Sequence, residues 1–229
     1  MHNDLRRTAT VKDLDQAFVF PFRDPRWFSK FIIAGLFMLL ALLGIGFFIL
    51  AGYFIRVAQR AMRREPAGLP EWSDVGVLFV TGFKFSVAFF IYILPIIFLM
   101  VPLIVLGIAA EVRPDEDLLQ VATAIYTFGF MLLILPYSFA LTLAQPIIIY
   151  RFAMNERISD ALDVAQIVGA FKYHWQSTLI VALLALGIQS LASVGIVFFI
   201  VGVAFTIFYA YLVSSHLAGM LYLDHTAAG

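Results

Sequence analysis

The chain has 229 residues, of which 62% are hydrophobic and 13% are charged. This composition excludes an ordinary soluble domain, because so apolar a chain needs lipid as the solvent for most of its surface. Fifteen basic and fifteen acidic residues balance to a formal charge of zero, without the basic excess typical of nucleic-acid binding. The absence of cysteine excludes disulfides and thiolate metal sites.

The first predicted element is a short amphipathic helix over residues 10–21. Val11, Leu14 and Phe18 recur at the spacing of one helical face, and Pro21 ends the pattern. Because charged residues occupy the opposite face, we expect this helix to lie in the membrane interface.

A stretch without charges follows from Phe31 to Ile55, between two groups of basic residues. It is long enough for one crossing of the roughly 30 Å hydrocarbon core. The positive-inside rule, however, places both basic groups in the cytoplasm. Gly44 and Gly46 lie in the middle, where the chain can turn back. We therefore predict a re-entrant hairpin over residues 28–55, with a full crossing as the alternative.

Two long apolar helices are predicted next, over residues 85–110 and 118–150. The loop between them holds four acidic residues and only one of the fifteen basic residues, Arg113, which places it outside the cell. Both helices contain prolines that predict kinks, namely Pro95, Pro102, Pro136 and Pro146.

The rest of the chain predicts a second interfacial helix over residues 158–172 and two transmembrane helices over 174–198 and 202–223. The predicted fold class is an all-α integral membrane protein, a single polytopic domain over residues 1–229. It has about four transmembrane helices, an N-terminal hairpin that is re-entrant or a fifth crossing, and two interfacial amphipathic helices. The charge distribution predicts the cell (inner) membrane as its location, with both termini in the cytoplasm.

Residue types that carry catalysis or hold metals form no recognisable motif. None of the four histidines is spaced with another histidine or a carboxylate as zinc or di-iron sites require. The sequence also lacks a glycine-rich phosphate loop and a Gly-x-Ser-x-Gly motif. We therefore expect no catalytic residue, no metal and no cofactor, and we expect that the protein is not an enzyme.

Four polar residues inside the predicted transmembrane helices are the candidate intramembrane contacts: Gln145, Gln189, Ser214 and His216. Such amides and hydroxyls usually tie neighbouring helices together by hydrogen bonds. A polar permeation path is the alternative. No acidic or basic residue lies at mid-membrane, which argues against proton-coupled transport.

The loop that precedes the first long helix is rigid by composition, with two prolines and a glycine. It ends in Glu71 and Trp72, where a tryptophan could anchor a contact with another protein. Together with Asp24 and Trp27, these residues are the candidate partner contacts. Interfacial anchoring of the tryptophans is the alternative.

Several stretches share one family pattern: Phe20-Pro21-Phe22 with Asp24-Pro25-Arg26-Trp27, Gly52-Tyr53 with Arg56, Leu69-Pro70-Glu71-Trp72, and Phe208-Tyr209-Ala210-Tyr211-Leu212-Val213 with His216. The sequence thereby resembles the multi-spanning prokaryotic membrane proteins grouped as domain of unknown function 4013. It departs at Ser73, where the family favours an acid directly after the tryptophan. The resemblance implies a fold and transfers no catalytic residue.

Two functions are consistent with these features. The first is a non-catalytic scaffold or subunit that binds a protein partner, lipid or itself, as a homo-oligomer or within a membrane complex. The second is a transporter or channel for a small or lipid-like solute, which the kinked helices and the re-entrant element favour. An intramembrane enzyme ranks third, because the sequence shows no cluster of ionisable groups for it.

Overall fold

The computed structural model describes residues 16–41, 43–65, 68–173, 175–192 and 199–227, with side chains except at 191–192, 199–204 and 224–227. Every regular element in these ranges is a helix, so the protein is all-α, as predicted. After helical residues 16–19 and a 3-10 helix (Phe20–Arg23), the elements are α1 (Trp27–Ala41), α2 (Ile45–Met62), α3 (Val75–Val112), α4 (Asp117–Asn155), α5 (Ile158–Leu162), α6 (Val164–Tyr173), α7 (Trp175–Ala192) and α8 (Phe199–Ala227).

Four of the described helices are long and apolar enough to cross a membrane: α2, α3, α4 and α8. They form an inner and an outer pair. In α2 and α8, 56% of the most apolar window is buried inside the protein, whereas in α3 and α4 the buried share is 0%. In α7 the part with described side chains, Trp175–Ser190, is shorter than these four, and residues 174 and 193–198 of the predicted crossing over 174–198 lie outside the described residues.

Helices α1 and α2 form a hairpin whose two ends reach the same loop. Gly44 joins them with a φ of 84°, a backbone conformation that glycine adopts without strain. Lys30 on α1 donates a hydrogen bond to the Leu69 carbonyl, and Tyr53 on α2 donates one to the Pro70 carbonyl. The turn lies about 12–17 Å of helix from this loop, roughly half of the hydrocarbon thickness. The hairpin has its turn at the predicted place, and whether it re-enters or crosses the membrane stays a prediction.

The long helices extend beyond the predicted limits. The predictions followed uncharged runs, which end near Ile55, Lys84 and Tyr150. The structure continues α2 to Met62, starts α3 at Val75 and carries α4 to Asn155. These extra turns bury apolar side chains against the protein, so a charged side chain on their other face does not end the helix. The predicted segment 202–223 falls inside α8.

Glycines bring α2 and α3 into backbone contact. A Cβ atom built at Gly52 would overlap the carbonyl oxygen of Leu78, and one built at Gly82 would overlap that of Phe48. The two helices are therefore antiparallel, and only residues without a side chain allow this approach. Gly219 brings α8 close to α2 in the same way.

The segment predicted as one interfacial helix over residues 158–172 is two short helices, α5 and α6. Asp163 separates them, with a ψ of 84° that is not helical. Its carboxylate accepts a hydrogen bond from the Gln166 backbone N–H at 3.0 Å, which is the bond of a helix N-cap. An aspartate that caps a new helix thus breaks the predicted one.

The predicted interfacial helix over residues 10–21 lies partly outside the described residues. Residues 16–19 are helical, and Pro21 does not end the segment but occupies the first turn of the 3-10 helix. Proline is tolerated there, because the first turn of a helix needs no intrahelical N–H donor.

Candidate functional site

A buried ammonium group lies at the entrance of the α1–α2 hairpin. Lys30 is 3% exposed, and its Nζ donates hydrogen bonds to Asp24 Oδ2, the Leu69 carbonyl and Glu71 Oε1, each at 2.7 Å. The Asp24 carboxylate, also buried, accepts from the backbone N–H groups of Arg26 (2.8 Å) and Leu69 (3.0 Å). We call Asp24, Lys30, Leu69 and Glu71 the Lys30 cluster. It joins α1 to the loop before α3.

Trp72, predicted to contact a partner, contacts the chain itself. It stacks on Tyr53 with ring centroids 4.0 Å apart and planes 16° apart, and its Nε1 donates to the Lys30 carbonyl at 3.2 Å. Glu71 keeps 52% of its side chain exposed. A partner contact through this exposed half of Glu71 stays a prediction.

Trp27 lies at the start of α1 and packs edge-on against Phe22 and Phe31, with ring centroids 5.3 and 5.7 Å away. These contacts hold the 3-10 helix against α1. Of the four predicted partner contacts, the structure therefore gathers Asp24, Glu71 and Trp72 around Lys30 and sets Trp27 in the neighbouring aromatic cluster.

The Asp24 carboxylate should make the stability of the folded protein decrease at acidic pH. Burial alone raises its pKa, but hydrogen bonds from Lys30 and from the Arg26 and Leu69 backbone outweigh burial and hold the pKa below the usual 3.8. A depressed pKa contributes stability that is complete above the unfolded-state value and disappears as the pH falls through the folded-state value. Unfolding by detergent can be followed by tryptophan fluorescence. We expect the detergent concentration at the midpoint of unfolding to decrease when the pH is lowered below about 4.

The matched control is Asp115, an exposed carboxylate in the loop between α3 and α4. Asp24→Asn should remove part of the acid-dependent loss, and Asp115→Asn should leave it unchanged. An Asp24→Asn variant with the acid dependence of the parent protein would contradict this assignment.

Three of the four predicted intramembrane polar residues line one cavity. It lies between α4, α7 and α8, has a volume of about 300 Å³, and we call it the α4–α7–α8 cavity. Its polar lining residues are Thr142, Gln145, Gln189, Ser190 and Ser214. By helical rise, Gln189 lies about 21 Å from Trp175 at the start of α7 and Ser214 about 14 Å from Leu223, whereas Gln145 lies about 8 Å from Tyr150, the last residue of its uncharged run.

The cavity contains hydrogen-bonding groups without partners. Ser214 is 5% exposed, and its hydroxyl has no hydrogen-bond partner among the described atoms. Gln145 and Gln189 likewise make no side-chain hydrogen bond to any described residue. We predicted that these amides join neighbouring helices by hydrogen bonds. Within the described residues they make no such bond. A buried hydroxyl without a partner costs about 1–3 kcal/mol, so a bound molecule would relieve that cost.

Pro146 adds a backbone acceptor at the same level. It lies inside α4 and lines the cavity. Because proline has no N–H, the carbonyl of Thr142 lacks the donor that residue 146 would otherwise supply in the helical pattern. Pro146 was predicted as the source of a kink, and it also removes one backbone donor beside the cavity.

His216, the fourth predicted polar residue, does not line this cavity. Its ring stacks on Phe20, with centroids 4.3 Å apart and planes 17° apart. The stacking packs α8 against the 3-10 helix near the Lys30 cluster. The structure thus separates His216 from Gln145, Gln189 and Ser214.

One carboxylate that joins three helices was not predicted from the sequence. Glu156, at the end of α4, accepts hydrogen bonds from Gln59 on α2 at 2.9 Å and from Thr81 on α3 at 2.8 Å. Its φ of 54° lies in the left-handed region, which is unfavourable for a residue with a side chain. No local pattern could have shown these contacts, because the partners are 75 and 97 residues away in the chain.

The geometry of the cavity suits binding by neutral hydrogen bonds. Its polar side chains are amides and hydroxyls, which donate and accept hydrogen bonds but do not transfer protons near neutral pH. In the described part of the chain, no group of three or more histidine, aspartate and glutamate side chains is arranged to hold a metal ion.

The fold and the site define an all-α protein with four helices able to cross a membrane and a polar cavity between three of its helices. The family model described as "Protein of unknown function (DUF4013)" matches residues 34–206. The chain belongs to this family, as the resemblance predicted.

The matched range contains Gly52-Tyr53 and Leu69 to Trp72, whereas the quoted stretches before residue 34 and after residue 206 lie outside it. The match covers about three quarters of the chain. Comparisons with curated proteins and with solved structures find no match.

Proposed function

We propose that this protein is a non-catalytic membrane protein that binds a lipid or lipid-like molecule in the α4–α7–α8 cavity. The observation that supports this most directly is the buried Ser214 hydroxyl, which lines the cavity without a partner. Native structures rarely leave a buried polar group unpaired, because the lost solvation is not replaced. A bound molecule that supplies the missing bond accounts for the group.

The cavity also fits a molecule that reaches it from the bilayer. Leu186 and Ser190 line it on α7 and are exposed on the outside of the described helices. The apolar lining residues Ile149 and Ala182 adjoin the polar ones. A headgroup or polar end can thus occupy the cavity while an apolar tail stays in lipid.

The proposed location is the cell (inner) membrane, with both termini in the cytoplasm. At one end of the fold lie the Lys30 cluster and the basic C-terminal half of α2, which holds Arg56 and Arg60. The acidic loop with Arg113 joins the other ends of α3 and α4.

The orientation can be tested by cysteine labelling. The chain has no cysteine, so single cysteines at 63 and 115 can be labelled with an impermeant maleimide on intact cells. Only residue 115 should react.

Native mass spectrometry of the protein extracted gently from its own membrane tests the proposal. We expect a retained lipid-sized molecule on the parent protein and about tenfold lower retention in the Gln145→Leu/Gln189→Leu variant, because two half-buried hydrogen-bonding groups that line the cavity are removed. The variant is apolar and membrane-compatible, and its oligomeric mass controls for folding. Retention equal to that of the parent protein would place the bound molecule elsewhere, and a bare parent protein would refute the proposal.

The same measurement reports the oligomeric mass and any protein partner, as the proposed role as a homo-oligomer or a subunit requires. Transport of a small or lipid-like solute is the second candidate, because a cavity that holds a molecule beside a helix with internal prolines, here α4, can also release it. Flux across liposomes no greater than across empty vesicles, for ions, small solutes and labelled lipids, would exclude transport and leave binding.

A further inference from the structure

The lining of the α4–α7–α8 cavity also identifies the chemical class of its ligand. We propose that the cavity binds the headgroup of a neutral lipid that carries free hydroxyl groups, of the kind found in diacylglycerols and glycosylated glycerolipids. This inference rests on the proposed function and narrows it.

The charge of the cavity excludes an ionised headgroup. All its lining side chains are uncharged. A phosphate or carboxylate that leaves water for an apolar site needs a positive partner, because the desolvation of a single charge is far more costly than that of a hydroxyl. A neutral headgroup carries no such cost.

The hydrogen-bonding groups call for a ligand that both donates and accepts. The Thr142 carbonyl, which Pro146 deprives of its usual helical donor, is an acceptor that a ligand's hydroxyl can use. The Ser214 hydroxyl and the amides of Gln145 and Gln189 offer both donors and acceptors. A hydroxyl-bearing headgroup satisfies both kinds, whereas an ester or ketone only accepts and cannot pair with a carbonyl.

The size of the cavity limits the headgroup. A volume of about 300 Å³ is roughly that of ten water molecules in the liquid. The polar part of the ligand is therefore about the size of a glycerol or a single sugar, and the rest of the lipid must lie outside. The exposed Leu186 side chain marks the rim where an acyl chain would leave the cavity toward the bilayer.

Photolabelling of the full-length protein in vesicles tests the inference. Two probes with the same photoreactive acyl chain are compared: a diacylglycerol, neutral with a free hydroxyl, and a phosphatidic acid, anionic. We expect the diacylglycerol probe to label peptides of α4, α7 and α8, with labelling by the phosphatidic acid probe lower by about tenfold, and unlabelled diacylglycerol to compete.

Two single-residue variants give a matched pair. Ser214→Ala removes the unpaired hydroxyl in the cavity, and Thr178→Val removes an equally buried, unpaired hydroxyl on α7 that does not line the cavity. Ser214→Ala should lower diacylglycerol labelling about fivefold to tenfold, while Thr178→Val should leave it unchanged. Since neither hydroxyl makes a bond in the described structure, both variants should fold.

The outcomes separate the two proposals. Stronger labelling of the same peptides by the anionic probe would overturn the neutral-headgroup inference and keep the lipid-binding function. Labelling by neither probe, together with a bare protein in native mass spectrometry, would overturn both. Equal loss of labelling in Ser214→Ala and Thr178→Val, or no loss in either, would show that the cavity is not the binding site.

Discussion

Replacement of Lys30 by methionine should lower the free energy of unfolding by about 3–5 kcal/mol, because it leaves the buried Asp24 carboxylate without its charged partner. Methionine keeps most of the side-chain volume, so the loss reports the charge rather than a cavity. Two of the three bonds of the ammonium group connect α1 to the loop before α3 and the third reaches Asp24, and all three disappear together. Unfolding in mixed micelles, followed by tryptophan fluorescence, measures the effect.

An exposed ion pair at the same site serves as the control. Arg26 bonds Glu71 at 2.6 Å, but its side chain is 68% exposed. Exposed pairs contribute only about 0–1 kcal/mol, so Arg26→Met should have a small effect. The double variant Lys30→Met/Asp24→Leu should recover part of the loss, because it removes the buried charge as well as its partner. A Lys30→Met variant no less stable than Arg26→Met would show that the cluster does not hold the hairpin.

Alanine at Gly52 or Gly82 should destabilise the protein by about 1–3 kcal/mol, because the added methyl group forces the backbones of α2 and α3 apart. At each position the new Cβ would overlap a backbone carbonyl of the facing helix, which cannot move aside as a side chain can. The loss should be accompanied by weaker Tyr53–Trp72 stacking, which the near-UV circular dichroism of the tryptophan reports. Unfolding midpoints in mixed micelles give the magnitude.

Gly107 and Gly129 provide the matched control on the exposed parts of α3 and α4. A Cβ at either position meets no atom within 4 Å. Alanine there should be neutral or stabilise by about 0.5–1 kcal/mol, since it favours the helix and clashes with nothing. Equal losses at all four glycines would indicate a general effect of the substitution rather than backbone contact between α2 and α3.

The helices and the membrane class follow from local pattern. Uncharged runs long enough to cross lipid, broken by prolines, glycines and charged residues, predict where apolar helices lie, because lipid leaves a chain little choice of structure. The turn at Gly44 was predicted for the same reason, since a glycine pair interrupts an apolar run between two basic groups. The predicted membrane segments 85–110 and 118–150 are shorter than α3 and α4, however, because burial against protein extends a helix past the last uncharged residue.

For the candidate sites, too, the sequence predicted the unusual residues but not their arrangement. The sequence marked Gln145, Gln189 and Ser214 as unusual, because polar groups in lipid need a reason to be there. The sequence could not show that these three residues line one cavity, or that His216 lies outside it. That depends on how three helices rotate about their axes, which is decided by packing between residues far apart in the chain.

The Lys30 cluster shows the physical basis of this limit. From the sequence, Lys30 is one more cation at a membrane entrance, and Glu71 and Trp72 are exposed loop residues. In the fold, the Gly44 turn and the close approach of α2 and α3 bring Asp24 and the Leu69–Trp72 loop onto Lys30. Hydrophobicity and length, which act locally, set the helices and the membrane class. Which polar groups meet was decided only by tertiary packing, because those contacts join residues about 40 positions apart.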